Sequence, residues 1–298
     1  MYFLAKYILY NIKMMSNKKQ KIAIIFYGLT RSLNKTIFSF KKHLFQILRN
    51  NSIDYDIFIH TYKIHGEYKN KWSNEYTSNY LNEDVKSLLN PKYLLYNNQE
   101  DVVKKINFEE YYEKLGVWSG ETPEMTKYLI KNLCLALYSK KRITRLFEKH
   151  KNEYDYAIIT RPDLEFTTNI NVEWLKELND NNIIIPACDS YSGCNDRFCI
   201  GKPDNVIYYG TLFDSLKEYS REISIISERY MLDMLNRKCL QILYKDILYN
   251  TIRYNHTIHK KGEKKEVKKT IIKIKNSHDI NHNHKHLFQT AIIKTIDF

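Results

Sequence analysis

Cysteine is sparse and badly spaced for a structural role. The five in 298 residues (Cys134, Cys188, Cys194, Cys199 and Cys239) are an odd number with no CxxC pair. That excludes a disulfide framework and a zinc site, and it reads as reduced thiols in a cytosol-like compartment. No run of 18 apolar residues occurs, so no transmembrane segment is expected. Two catalytic signatures are missing as well. The chain has no GxSxG element, which disfavours a Ser–His–Asp hydrolase, and no GxxxxGK[ST] phosphate loop. Glycine is scarce, at 8 residues, beside abundant Lys, Asn, Ile and Tyr. Such usage fits the codon bias of an AT-rich genome. No internal repeat is present.

What remains is an ordinary globular composition, 43% hydrophobic and 27% charged, which rules out wholesale disorder. The length allows one large domain or two small ones, and such a chain folds without covalent staples. The net charge is +13, from 37 Lys and 10 Arg against 34 acids. Residues 256–298 hold ten Lys against four acids, or +6, and leave +7 for the other 255 residues. The mildly basic body suits a polyanionic ligand such as a nucleoside diphosphate as well as it suits DNA. A basic nucleic-acid-binding protein driven by the tail is the rival from another class. It lacks any RNP, zinc-finger or helix-turn-helix signature, so nucleic acid is not an expected partner.

Residues 1–15, MYFLAKYILYNIKMM, are apolar with Lys6 inside and no cleavage site, unlike a signal peptide. Two readings stand side by side: a non-native extension with the start at Met14 or Met15, and a peripheral membrane helix. The run KIAIIFY (21–27), ended by Gly28, predicts a buried strand and a tight turn. Residues 33–50 have helical spacing, and YDIFIHTY (55–62) predicts a second buried strand. Strand–helix–strand over this length is the grammar of a parallel α/β sheet. Residues 63–100 read as an insertion ending in a short strand, 124–150 as a helix, 156–160 and 183–186 as strands, and 190–203 as a loop and strand. Residues 204–219 and 227–249 read as helices.

Ligands in open α/β sheets bind beyond the carboxyl ends of the strands. Gly28–Arg31 follows the first strand, and Arg161–Pro162–Asp163 follows the central one. Gly28 lets backbone approach a ligand, and Arg31 and Arg161 offer forks suited to phosphate. Asp163 offers oxygens to Mg²⁺ or Mn²⁺. The bland alternative is a structural Arg–Asp pair. His60, at the end of the second strand, reads as a satisfied structural histidine. Asp196 could accept a proton from a hydroxyl, and Asn195–Asp196–Arg197 also reads as an Asx turn opening a strand. Glu228, behind Ser227 as N-cap, reads first as a helix-start signal.

The segment YDYAIITRPDLEF (154–166) resembles the central strand of GT-A glycosyltransferases, which ends in a DxD-type motif. Here Arg161 replaces the first acid. The ordered set IAIIFYGLTRS, YDIFIHTY, RPDLEF, SGCNDRFCIGKP and SERYMLDML resembles a group of viral and bacterial glycosyltransferases over roughly residues 20–255. The resemblance implies an α/β, GT-A-like (Rossmann-like), mostly parallel central sheet flanked by helices. It implies an N-terminal extension at 1–19, a glycosyltransferase domain at 20–255 and a basic Lys/His/Asn-rich tail at 256–298. It implies a nucleotide-sugar donor and a glycan or other hydroxyl acceptor, in the cytoplasm, or the host's cytoplasm if the chain is viral. Gly28, Arg31, Arg161, Asp163 and Asn195 would bind the donor. Asp163 would hold Mn²⁺ or Mg²⁺, with Arg161 sharing the diphosphate charge. Asp196 is the first choice for a catalytic base and Glu228 the second. An inactive transferase fold that only binds glycan is a further alternative.

Overall fold

The computed structural model of the chain describes residues 19–116, 121–254 and 258–259. The expected extension, apart from Lys19, and most of the expected tail lie outside the described residues.

The elements run β1 (Lys21–Tyr27), α1 (Leu33–Phe40), a π-helical turn (Lys41–Phe45), α2 (Gln46–Asn50) and β2 (Asp54–Lys63). A small hairpin, β3 (Tyr68–Asn70) and β4 (Glu75–Thr77), precedes α3 (Val85–Leu89), β5 (Tyr93–Asn98) and α4 (Gln99–Lys105). Then come α5 (Pro123–Glu148), β6 (Tyr156–Thr160), β7 (Leu164–Phe166), β8 (Asn182–Pro186) and β9 (Phe198–Gly201). The remainder is α6 (Pro203–Gly210), α7 (Phe213–Glu222), α8 (Ser227–Arg237), β10 (Gln241–Lys245), β11 (Tyr249–Ile252) and β12 (Ile258–His259).

Seven strands form one sheet in the order β10-β8-β9-β6-β1-β2-β5. Every neighbouring pair is parallel except the two made by β9, which is antiparallel to β6 and β8. The expected mostly parallel α/β sheet flanked by helices is therefore what the chain builds. Its central strands are apolar throughout because both faces are covered. Side chains alternate across a strand. Accordingly Ala23 and Ile25 of β1 join Ala157 and Ile159 of β6 in the core beneath α5 to α8. Ile22, Ile24 and Phe26 join Ile158 in the core beneath α1. Helix α5 starts where Thr122 accepts a hydrogen bond from the Met125 N–H and Pro123 takes the first turn, two ordinary helix-start devices.

Two helical expectations are corrected. The helix expected over 227–249 stops at Arg237. Cys239 has φ 57°, the Leu240 N–H bonds to the Leu235 carbonyl, and the Cys239 N–H bonds to the Asn236 carbonyl. That is a Schellman stop with cysteine in the place usually held by glycine. Residues 241–245 and 249–252 are strands instead. The helix expected over 204–219 is two helices, α6 and α7. Strand β12 pairs with β11, so pairing reaches into the stretch expected to be tail.

Register positions the site. Tyr27 of β1 pairs with His60 of β2, and Phe26 pairs with Thr160 of β6. The segments after Gly28 and after Thr160 therefore emerge side by side. Because β9 is antiparallel, with Phe198 opposite Thr160, its start rather than its end reaches the same edge, and that delivers Asp196 and Arg197. No described helix is long and apolar enough to cross a membrane.

Candidate functional site

A cavity of about 860 Å³ opens at this edge, within the size range of small-molecule sites. Gly28, Arg31, Arg161, Asp163, Asp196 and Glu228 all line it. Of the sequence-expected site residues, only Asn195 does not. Gly28 has φ 97°, a conformation that suits glycine alone, and its N–H bonds to Ser139 Oγ at 2.8 Å. His60 is fully buried, with Nδ1 against Ser139 Oγ and Nε2 against Asn97 Oδ1, so it is a structural histidine beneath the site.

Asp163 is the most constrained of these groups. The chain turns at Pro162–Asp163 rather than staying extended. Even so, Arg161 meets Asp163 twice, Nε to Oδ1 at 2.9 Å and Nη2 to Oδ2 at 2.5 Å. Arg31 Nη2 donates to the same Oδ2 at 2.8 Å, and its Nη1 donates to Glu75 Oε2 at 3.1 Å and to the Tyr68 hydroxyl at 2.6 Å. Burial alone would push the Asp163 carboxyl up, but Arg161 and Arg31 hold it well below the usual carboxylate range. Glu165, the next acid along the chain, accepts from Asn250.

This donor set does not fit a resident divalent ion. Three of the roughly four lone-pair sites of the Asp163 carboxylate already accept from guanidinium groups, which leaves little of it for Mg²⁺ or Mn²⁺, ions that seek carboxylate oxygens. Among the described residues no group of three or more His, Cys, Asp or Glu side chains could hold a metal.

Asp196 and Glu228 line the same cavity. The Asp196 carbonyl accepts from the Tyr27 hydroxyl at 2.8 Å and from Lys140 Nζ at 3.2 Å, and its carboxylate accepts from Ser227 Oγ. The expected N-cap role of Ser227 is thus corrected. Ile226 is the cap position, and the Ser227 hydroxyl faces Asp196. Burial again works against the Asp196 anion, yet Arg197 and the Ser227 hydrogen bond pull its pKa down. Glu228 goes the other way: burial and the Asp196 charge raise it to about 7. Their surroundings therefore push two carboxylates in one cavity in opposite directions.

The loop before Asp196 is pressed onto α8. The Cys194 N–H bonds to the Glu228 carbonyl at 3.0 Å, and a Cβ on Gly193 would overlap that carbonyl. Asp189, Tyr191 and Ser192 all have positive φ, a strained backbone for residues other than glycine. Asn195 is buried beneath this loop. Its side chain accepts from the Arg197 N–H at 2.9 Å, as an Asx turn does, and donates to the Cys188 carbonyl and the Tyr249 hydroxyl.

Sequence reasoning missed Arg253, Tyr68 and Glu75. Arg253 lines the cavity just after β11, where the Ile252 N–H bonds to the Asp163 carbonyl at 2.9 Å. Glu75 accepts from Arg31 and from the Tyr254 N–H. Tyr68 and Glu75 lie on three-residue strands and Arg253 just past a four-residue one, too short for hydrophobic periodicity to mark them. Trp72 and Tyr191 are exposed at 45% and 62%, and both stand on the cavity wall.

No protein-family profile matches the chain, and no curated protein matches it. Solved structures do. The apo form of mouse xyloside xylosyltransferase 1 is 12% identical with a TM-score of 0.35, over 76% of this chain and 85% of that one. The galactosyltransferase LgtC, in complex with donor and acceptor sugar analogues, is 8% identical with a TM-score of 0.38, over 76% of this chain and 73% of that one.

Proposed function

We propose that this chain is a GT-A-like glycosyltransferase that moves a sugar from a nucleotide-sugar donor to a hydroxyl of a glycan or other acceptor. One observation carries the proposal: a single cavity is lined both by the arginines Arg31, Arg161 and Arg253 and by the carboxylates Asp196 and Glu228, whose surroundings shift their pKa values in opposite directions. The first suits a diphosphate and the second suits a proton transfer. The two are the electrostatic demands of glycosyl transfer.

In this reading the donor diphosphate lies along these arginines, where Arg161 turns its partly exposed edge to the cavity. The acceptor oxygen bonds to the anomeric carbon as the bond from that carbon to the diphosphate oxygen breaks. The electron pair of the broken bond stays on the diphosphate. The acceptor's proton passes to Glu228. The order of the two candidate bases is thereby reversed from the sequence expectation. A base is most effective with a pKa near the working pH, which Glu228 meets, while Asp196 remains an anion held by Ser227 and Arg197.

A thermal-shift panel of nucleotide sugars tests the proposal. A donor at a hundred times its Kd stabilises by about 2.7 kcal/mol, or roughly 5–10 °C in a domain of this size. An unmoved midpoint with every nucleotide sugar, beside a shift with an oligonucleotide, would sink the proposal in favour of the nucleic-acid rival.

A further inference from the structure

Arg31, Arg161 and Arg253 are among the arginines that line the cavity, and the carboxylates paired with the first two are Asp163 and Glu75. The pairing is uneven. Asp163 is shared by Arg161 and Arg31, and Glu75 pairs with Arg31. No carboxylate among the described residues pairs with Arg253, and its buried Nε has no hydrogen-bond partner. The buried Nε of Arg31 is unpartnered too.

Arg253 is nevertheless held firmly in place. The residue before it is tied to the Asp163 carbonyl, and the residue after it is tied through the Tyr254 N–H to Glu75 Oε1 at 2.5 Å. Tyr254 also stacks on Tyr80 at 5.2 Å. Burial lowers the Arg253 pKa to about 10, and Arg31 adds to that, so the group still carries its charge at neutral pH. Asp163 and Glu75 act on its charge from a distance, but no carboxylate touches it, and a buried cation without a bonded partner is costly to fold around. Here it lines a cavity, where an anion can supply the missing contact.

We infer that the site takes the diphosphate of its donor on arginine alone. Arg253, which no carboxylate among the described residues contacts, receives it, and Asp163 is the internal anchor that holds Arg31 and Arg161, so no divalent ion is required. The inference rests on the donor reading proposed above and names how that donor is held. A guanidinium presents planar paired donors to phosphate. The leaving diphosphate keeps the electron pair of the broken bond, and a fixed positive charge beside it offsets the charge that builds there.

Calorimetric titration of the full chain with uridine, guanosine and cytidine diphosphates, in excess EDTA and then with Mn²⁺, tests this. Binding should occur in EDTA and be no tighter with Mn²⁺. Arg253→Ala should weaken it about 10- to 100-fold, the range for a charge-assisted hydrogen bond. Arg253→Lys should fall between, since lysine keeps the charge and loses the paired donors. Melting curves of both variants confirm that the protein measured is folded. Binding that vanishes in EDTA and returns with Mn²⁺ overturns the inference and leaves the donor reading standing, as does unchanged affinity in folded Arg253→Ala. Failure of every nucleoside diphosphate to bind the wild type in either condition overturns both.

Discussion

Replacing Asp163 with asparagine removes the one carboxylate shared by two guanidinium groups. Asp163 is 2% exposed, so its charge is barely screened by solvent. An amide there leaves Arg31 and Arg161 facing each other, with Arg253 nearby and only Glu75 to offset them. Breaking a buried pair from one side costs about 3–5 kcal/mol, because the remaining charge is uncompensated. In a domain of this size each kcal/mol moves the melting point by roughly 2–4 °C, which gives a loss of about 6–20 °C at neutral pH. Differential scanning calorimetry of wild type and Asp163→Asn reads this directly. The pH dependence is a second check. The native Asp163 pKa is held below the unfolded value near 3.9, so its stabilisation is fully present above about pH 4 and is lost as pH falls below it. The gap between wild type and variant should therefore narrow in acid. Arg161→Gln should cost less, because its side chain is 26% exposed and its charge is partly screened. A melting point for Asp163→Asn within about 2 °C of wild type at pH 7 would refute the anchoring role, since that is under 1 kcal/mol.

Other changes test the rest of the cavity. Gly193→Ala should destabilise by about 1–3 kcal/mol, as overpacking against backbone does, with the loss read from urea midpoints; an unchanged midpoint would mean that the loop does not press on α8. Glu228→Gln should lower turnover by about 10²–10⁴-fold, while the wild-type rate climbs as Glu228 ionises through about pH 7; a flat wild-type profile from pH 6 to pH 8 contradicts its role as base. Lys140 is 1% exposed, lies 4.8 Å from the Tyr27 ring and 4.1 Å from the Tyr209 ring, and is lowered to about 8 by burial. Turnover should fall above that pH as its hold on the Asp196 carbonyl weakens, and Lys140→Met should show a lower rate without that high-pH limb.

The central strands were legible because their side chains are buried on both faces, which leaves unbroken apolar runs such as those of β1 and β6. The cluster of Gly28, Arg31, Arg161 and Asp163 was legible from one topological rule, since parallel strands bring the segments after them to one edge. The internal wiring of that cluster was not. Nothing local in the sequence reveals that Arg31, far away in the chain, reaches the same Asp163 oxygen as Arg161. Nor does it show that the chain turns at Pro162–Asp163. Asn195 read as a ligand-binding residue, but burial turns its side chain inward to Cys188, Arg197 and Tyr249. Strands β10 and β11, and with them Arg253, stayed hidden because α8 ends on a left-handed cysteine instead of glycine, which removes the usual stop signal. Hairpin β3–β4 and strand β7 are three residues each, too short for any periodicity to show.

The most direct test of the central claim is release of nucleoside diphosphate from a panel of nucleotide sugars incubated with the full chain, followed by chromatography, with water or an added glycan as acceptor. At least one donor should be turned over by the wild type, and Glu228→Gln, folded by its melting curve, should release the same nucleotide far more slowly. No release from any donor, or equal release by Glu228→Gln, would contradict that claim.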